Sequence, residues 1–317
     1  MVSISAFQAD GPGSNPGPRI YKMEENKKFE KFHDKYYKLL LVIPAVFLLF
    51  SLGYVGFFYS QNHDIMYKDI SLTGGTTITL YGKFSQQEIV NSLSEKLEDL
   101  NTKEISDLLT GEQKAIIIET KSSGDYTKEV LENYLGYPLT EEIGSFEFTG
   151  STLSENFYKQ LLLALVFAFI LMALVIFIIF RTFIPSMAVI FSAFADILMT
   201  LGVVDILGMK ISSAGIVAFL MLIGYSVDTD ILLTRRILKV KEGELNQKIF
   251  GAFKTGVTMT LTSLLAVLVA LFIVKSFSAI LAQIFTILII GLSFDLLNTW
   301  VTNVSILKWY VKKKNVQ

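Results

Sequence analysis

Four hydrophobic segments of this 317-residue chain carry carboxylates, hydroxyls and amides at helical spacing. An aspartate at the centre of a membrane helix costs about 2.5–3.5 kcal/mol, so such residues normally face a bundle interior and serve a function. A low dielectric disfavours the charged form of a carboxylate. The chemistry that these residues could do is therefore the loading of a proton or small cation from one side of a membrane and its release to the other.

The polar residues form stripes, each along one face of a predicted helix. The stripes are Ser192, Asp196 and Thr200; Ser226, Asp230 and Thr234; Gly224 and Asp228; Thr255, Thr258 and Thr262; and Asp295, Asn298, Thr302 and Ser305. Asp228 and Asp230 lie about 200° apart around a helix, so they cannot face the same neighbour. The simplest packing turns the four helices so that their stripes meet.

Two interpretations of these stripes stay open. The hydroxyls and amides, Asn303 included, could join helices through hydrogen bonds worth about 0.6 kcal/mol each. The carboxylates instead favour an ion relay, in which Lys254 would stabilise the charged form of any carboxylate that it approached. The candidate relay residues are Asp228, Asp230, Asp196, Asp295, Asn298 and Lys254. Either Asp228 or Asp230 could be the principal acid.

The elements that must position these residues are six hydrophobic segments, each long enough to cross a bilayer core of about 30 Å. They lie near 39–59, 161–180, 186–207, 212–233, 256–274 and 279–307. A mean hydropathy of +0.51 with 18% charged residues excludes an ordinary soluble enzyme. A net charge of −1 argues against a nucleic-acid partner, which a strong basic excess would bind.

Residues 60–158 are the soluble-looking part of the chain. The alternation in ISLTGGTTITLYG predicts a strand, and the apolar spacing in SQQEIVNSLSEKLEDL predicts a helix. KAIIIET and EIGSFEFTG predict further strands and DYTKEVLENYLG a further helix, which makes a small α+β module. Between Asp64 and Lys159 there are 17 carboxylates and eight basic residues. This acidity indicates either a solvated surface or a docking face for a partner.

Basic residues predict how the chain lies in the membrane. With both termini cytoplasmic, 18 Lys and Arg lie on the cytoplasmic side and 10 on the other. We therefore expect cytoplasmic termini and an extracytoplasmic module. Residues 1–22 are predicted to be disordered, as an expression leader or a misassigned start. The predicted division then continues with a cytoplasmic segment at 23–38, helix 1 at 39–59, the module at 60–158, helices 2–6 at 159–307 and a basic cytoplasmic tail at 308–317.

Three stretches carry more specific motifs. In DISLTGGTTITL the pair Gly74 and Gly75 suits a bulge or a close backbone approach. FEFTGSTLSENFYKQLLLAL lies at the other edge of the module, and LIGYSVDTDILLTRR contains Gly224, Tyr225 and Ser226 before a basic edge. All three resemble the SecF family of protein-export subunits, and the third is the most specific. The resemblance implies that the second stretch forms a strand, a turn and a helix that re-enters the membrane. The resemblance covers about Phe32 to Lys314.

The resemblance is to an archaeal-type SecF, because bacterial members often have Asn-Asp where this chain has Asp228 and Thr229. Asp295 and Asn298 also depart from the family's milder residues, and Lys254 matches its basic residue loosely. The family implies a polytopic α-helical membrane protein with six transmembrane helices and a small α+β, ferredoxin-like extracytoplasmic domain between helices 1 and 2. The resemblance also implies that the chain is similar to half of a resistance-nodulation-division transporter.

The implied role is an accessory subunit that pairs with SecD and uses a proton gradient, or a sodium gradient in some lineages, to promote preprotein translocation. The implied partners are SecD, the Sec translocon channel, the translocating preprotein and membrane lipid. Two alternatives are an exporter of lipid or small molecules and a structural subunit that carries no ions. An aspartyl intramembrane protease would need a Gly-x-Gly-Asp signature, which GLSFD before Leu296 lacks.

We expect neither enzymatic activity nor a bound cofactor. His33 and His63 are the chain's two histidines, and it has no cysteine, so neither a catalytic thiol nor a transition-metal centre is predicted.

Overall fold

The computed structural model describes residues 39–239 and 244–315. The predicted leader at 1–22 and cytoplasmic segment at 23–38 lie outside the described residues. The described elements are α1 (Val42–Asn62), α2 (Ile70–Thr73), β1 (Gly75–Tyr81), α3 (Gln86–Leu93), β2 (Asn101–Ser106), β3 (Gln113–Thr120), α4 (Gly124–Leu135), β4 (Gly144–Thr149), α5 (Ser151–Phe180), α6 (Phe183–Ile206), α7 (Ser213–Lys239), α8 (Leu245–Val274), α9 (Ala279–Leu297), a π-helical segment (Asn298–Asn303) and α10 (Val304–Asn315).

Six helical stretches of the described chain are long and apolar enough to cross a membrane, which confirms the predicted number. They are α1, α5, α6, α7, α8 and the continuous stretch Ala279–Lys314. α6 and α7 are buried along more than half of their apolar length, whereas α1, α5 and α8 are buried along less than a fifth. The helices that carry Asp196 and Asp230 therefore form the centre of the bundle.

The second membrane helix begins at Ser151, ten residues before the apolar run predicted near 161–180. Its 30 residues span about 45 Å, more than the bilayer core needs. The first two turns therefore extend beyond the apolar run, where the hydroxyl of Tyr158 donates to Asp64 Oδ1 at 2.7 Å.

The α+β module is a four-stranded antiparallel sheet with strand order β2-β3-β1-β4. Alternate residues of the two central strands, such as Ile78 and Ile118, are buried against α3 and α4. Two local predictions were wrong. Ile70–Thr73 is a short helix rather than part of the first strand, because Asp69 caps it by accepting the Ile70 N–H. β2 was not predicted, because its sequence NTKEIS lacks apolar alternation.

Gly75 lies where β1 starts, in a backbone conformation that suits glycine, with φ +147°. A Cβ atom at this position would lie 2.3 Å from the carbonyl oxygen of Thr120 on β3. At the preceding Gly74, φ is +81° and a Cβ would lie 2.5 Å from the Cα of Ser151. The glycine pair thus lets β1 approach both its neighbouring strand and the start of α5.

Gly75→Ala is expected to destabilise the module by about 2 kcal/mol or more, because the methyl group would force β1 and β3 apart. Gly111→Ala is the matched control. Its φ of +69° is also unfavourable for alanine, but its Cβ would meet open space. The loss of stability in each variant is measured by thermal unfolding of the purified protein, with limited proteolysis of the module as the readout. Equal destabilisation by the two variants would contradict the steric argument.

The module is hydrogen-bonded to residues 209–212, which lie in the loop between α6 and α7 and are called here the coupling loop. Ile211 N–H donates to Tyr67 O at 2.7 Å, and Asp69 N–H donates to Ile211 O at 2.9 Å. Lys210 Nζ lies 2.6 Å from Asp99 Oδ1. Partial burial alone raises the pKa of Asp99, but hydrogen bonds from Lys210 and Lys121 outweigh it and hold the pKa below its usual range.

Gln283 of α9 fixes the other side of the coupling loop. Its Oε1 accepts the backbone N–H and the hydroxyl of Ser212, and its Nε2 donates to Lys210 O at 2.6 Å. The edge strand β2 also reaches the bundle, since Ser106 N–H donates to Ser276 O at 2.7 Å. The module, α6, α7 and α9 are therefore joined at one place.

Candidate functional site

Three aspartates from three helices meet in the centre of the bundle. Asp196 lies on α6, Asp230 on α7 and Asp295 on α9, and each is at most 1% exposed. These three residues are called here the aspartate cluster. Each aspartate belongs to the predicted polar stripe of its helix, and the packing of α6, α7 and α9 turns those three stripes toward one another.

Asp196 is held by two neutral donors. The hydroxyl of Ser226 donates to Oδ2 at 2.6 Å, and the amide of Asn298 donates to Oδ1 at 2.6 Å. Ser226 belongs to the predicted GYS motif, so that motif reaches the cluster through its serine. The two bonds join α6 to α7 and to the sixth span.

Asp230 and Asp295 share one hydroxyl. Thr299 Oγ1 lies 2.9 Å from Asp230 Oδ1 and 3.1 Å from Asp295 Oδ1, and Asn303 Nδ2 donates to Asp230 Oδ1 at 2.7 Å. The hydroxyl of Thr229 also reaches Asp295, at 3.1 Å from Oδ1. A threonine hydroxyl has one hydrogen, which can satisfy one carboxylate at a time. A proton on either carboxyl would supply the missing donor between them.

A π-helical turn delivers three of these donors. The six residues Asn298–Asn303 interrupt the helix between α9 and α10. Asn298, Thr299 and Asn303 all lie within this wider turn and all point into the cluster, although an α-helix would spread them around its axis. Single π-helical turns inside α-helices are frequent at functional sites.

Within the described residues, the hydrogen-bond partners of the cluster are neutral side chains. No salt bridge in the described part of the chain joins any of the three aspartates to a basic side chain, and every donor to them is a hydroxyl or an amide. Three buried, uncompensated negative charges would cost far more than these hydrogen bonds return. The arrangement suits carboxyls that hold protons and exchange them one at a time.

Within residues 39–239 and 244–315, no group of three His, Cys, Asp or Glu side chains has the arrangement of a metal site.

Other predicted residues lie outside the cluster. Asp228 is exposed on the outward face of α7, together with Gly224 and Tyr225. Lys254 of α8 is also exposed, and the neighbouring hydroxyls of Thr258 and Thr262 bond to their own helix backbone. The expectation that all four polar stripes meet is therefore wrong for α8, because that helix turns its threonine stripe outward.

Sequence reasoning missed two residues of the site and undervalued a third. Thr229 and Thr299 were not candidates, and Asn303 was interpreted only as a helix-joining amide. A signal for Thr299 exists, since it lies four residues after Asp295 and four before Asn303. The link from α9 to the coupling loop through Gln283 gave no signal in the sequence.

Comparison with known proteins gives consistent matches. Residues 131–313 match the family described as "Protein export membrane protein SecD/SecF, C-terminal". The chain is 39% identical over 282 residues to a protein-export membrane protein SecF from Methanocaldococcus jannaschii, covering 87% of this chain and 96% of that protein. It is 37% identical over 287 residues to the SecF from Methanothermobacter thermautotrophicus, covering 89% of this chain and 95% of that protein.

The fold resembles a solved structure of SecDF, described as a translocon-associated membrane protein, from Thermus thermophilus. The TM-score is 0.68 at 20% identity, and the match covers 88% of this chain and 38% of the SecDF chain. The chain thus spans less than half of that longer protein.

Proposed function

The chain belongs to the SecD/SecF family of protein-export membrane proteins, as a SecF, and from this premise we propose that it pairs with SecD and uses an ion gradient to promote preprotein translocation. The ion proposed is the proton. The observation that carries this proposal is the aspartate cluster, which buries three carboxylates among neutral donors.

Protonation would act on the bundle by changing its charge. A carboxylate that gains a proton no longer needs as many donors, so Thr299 and Ser226 would be free to repack and α6 and α7 to shift. The coupling loop joins these two helices and is hydrogen-bonded to the module through Ile211. A shift of the helices would therefore move the module relative to the membrane.

Asp228 supports a surface for SecD. It lies on the outward face of α7 with Val217, Met221 and Gly224, all exposed in the isolated chain. A carboxylate facing lipid at this depth would be costly, whereas a polar group of a neighbouring subunit would stabilise it. The outward hydroxyls of α8, such as Thr258, add further polar groups that a partner helix could contact.

We also propose that the module is ferredoxin-like and extracytoplasmic. The element order β1-α3-β2-β3-α4-β4 and the strand order β2-β3-β1-β4 support the first assignment. The basic residues at the end of α7, including Arg236 and Lys239, and those in the last turn of α10 support cytoplasmic placement of these ends. The division into a module at 60–158 and helices at 39–59 and 159–307 follows from the same placement.

Affinity purification in a gentle detergent tests the proposed function. We expect a second membrane protein with six spans and a larger external domain to co-purify in a fixed ratio. An Asp228→Leu variant should lose most of this partner, while Glu155→Leu, which removes an exposed carboxylate near the start of α5, measures the effect of charge loss alone. A chain that purifies alone or only with itself would contradict pairing with SecD and favour a homo-oligomeric exporter.

A further inference from the structure

The strand β4 is an open edge of the sheet. The opposite edge, β2, is bonded to the bundle through Ser106, whereas no described residue pairs with the outer side of β4. Edge strands are usually protected by Lys, Pro or a bulge. The sequence of β4, GSFEFT, has neither Lys nor Pro. An unprotected edge is a template for another extended chain.

The register of β4 shows which backbone groups are available. Tyr81 N–H donates to Ile143 O, so the pairs that exchange hydrogen bonds continue through Ser145, Glu147 and Thr149. Phe146 and Phe148 alternate with these residues. Their N–H and C=O groups therefore point away from β1, toward the position of an added strand.

The side chains beside this edge form an apolar row and a groove. Phe146 is 43% exposed and Phe148 57%, and both lie on the face of the sheet that α4 covers. A cavity of about 600 Å³ adjoins Phe146, and its other lining residues include Ile78, Asp125, Lys128, Leu139 and Glu141. An added strand would place every second side chain over this row, and the cavity would accept a large apolar one.

The charges around the groove favour a cationic ligand. Asp125 and Glu141 line the cavity, against the single cation Lys128 in that lining. None of the three forms a salt bridge within the described residues. The module as a whole is also acidic, with 17 carboxylates against eight basic residues from Asp64 to Lys159, and this negative charge likewise favours a cationic ligand.

We propose that β4 binds an extended, unfolded polypeptide segment by strand addition, with a large apolar side chain in the groove and basic residues flanking it. Backbone hydrogen bonds to Phe146 and Phe148 supply affinity for any extended sequence, and the groove and its carboxylates select among them. The inference rests on the proposed function, since a preprotein that crosses a membrane arrives unfolded and extended. It assigns contact with that chain to the module.

Fluorescence anisotropy of the full chain in detergent, without an ion gradient, tests the binding. The probe is a labelled seven-residue peptide with Lys at odd positions and Val or Phe at even positions. Two further peptides are N-methylated at either the odd or the even amides. Because strand addition uses one edge of the peptide, one methylated peptide should bind about tenfold more weakly and the other as well as the parent. Equal binding of all three would overturn strand addition.

Variants of the chain locate the site. Phe146→Pro removes an outward N–H and an aromatic ring while leaving the bonds to β1, so the peptide should bind about tenfold more weakly. Asp125→Lys combined with Glu141→Lys should weaken binding to a similar degree. Glu88→Lys, an exposed change on α3 at the β2 side of the sheet, should not. If Glu88→Lys weakens binding equally, the site is not at β4.

The alternative occupant of this edge is a second copy of the chain. Size-exclusion chromatography that shows a dimer lost in Phe146→Pro, together with no peptide binding, would assign the edge to a second copy and overturn the proposal. Because the peptide is measured without a gradient or a partner, binding can succeed while gradient-driven export fails, or the reverse. The two proposals therefore fail separately.

Discussion

Replacing Asp230 with asparagine is expected to reduce by at least about tenfold the part of preprotein export that an ion gradient drives. The change keeps the size of the side chain but removes a group that can gain and lose a proton. Asp230 is fully buried and shares the hydroxyl of Thr299 with Asp295, so its loss interrupts proton sharing within the aspartate cluster. The gradient-dependent increment should fall by about tenfold or more, since positioned proton-transfer groups commonly contribute at least that much.

The measurement is export of a preprotein into membrane vesicles that contain the SecD partner, with and without a proton gradient. Glu155→Gln is the control, because Glu155 is an exposed carboxylate paired with Lys159 and lies far along the chain from the cluster. It should keep the full gradient effect. Normal gradient-driven export by Asp230→Asn, with loss in Asp228→Asn, would move the relay to the outward face of α7.

Gln283→Leu is expected to uncouple the module from the bundle while leaving the aspartates intact. The substitution removes the acceptor of the Ser212 N–H and hydroxyl and the donor to Lys210 O. Leaving such partly buried groups unpaired costs about 1–3 kcal/mol each, so the coupling loop should release. We expect gradient-dependent export to fall about tenfold, equivalent to the loss of about 1.4 kcal/mol of coupling.

Thr286→Val is the matched control for Gln283→Leu. Thr286 lies one turn further along α9, and its hydroxyl bonds to Ala282 O of its own helix. Limited proteolysis of the coupling loop reports its release independently of export. Rapid cleavage of the loop in Gln283→Leu with unchanged gradient-driven export would show that the loop is not on the coupling path.

The fold was largely predictable from the sequence because membrane spans need long apolar runs. The failures occurred where that signal ends. The polar start of α5, STLSENFYKQ, carries no apolar run, and only the family resemblance indicated that it is helical. β2 is polar because its residues bond across the sheet, as Asn101 and Lys103 do with Glu119, rather than filling a core.

The candidate site was predicted in composition but not in arrangement. Helical spacing identified Asp196, Asp230 and Asp295, yet it treated Asp228 as an equal alternative because spacing does not fix which face of a helix is turned inward. Packing against α6 and α9 makes that choice. Thr299 enters through the π-helical turn, whose geometry departs from the α-helical period on which the prediction relied.

The attachment of the module to the membrane bundle depends on the order in which the chain is synthesised. All four strands come from residues 75–149, so the sheet can form as soon as that stretch has been synthesised. Its attachment points Ile211, Ser276 and Gln283 come at least 60 residues later and require the last four membrane helices. During that interval the sheet is tethered by α1 and α5 alone. Attachment of the module to the bundle is therefore a late assembly step. Until these hydrogen bonds have formed, ion uptake at the bundle could not move the module.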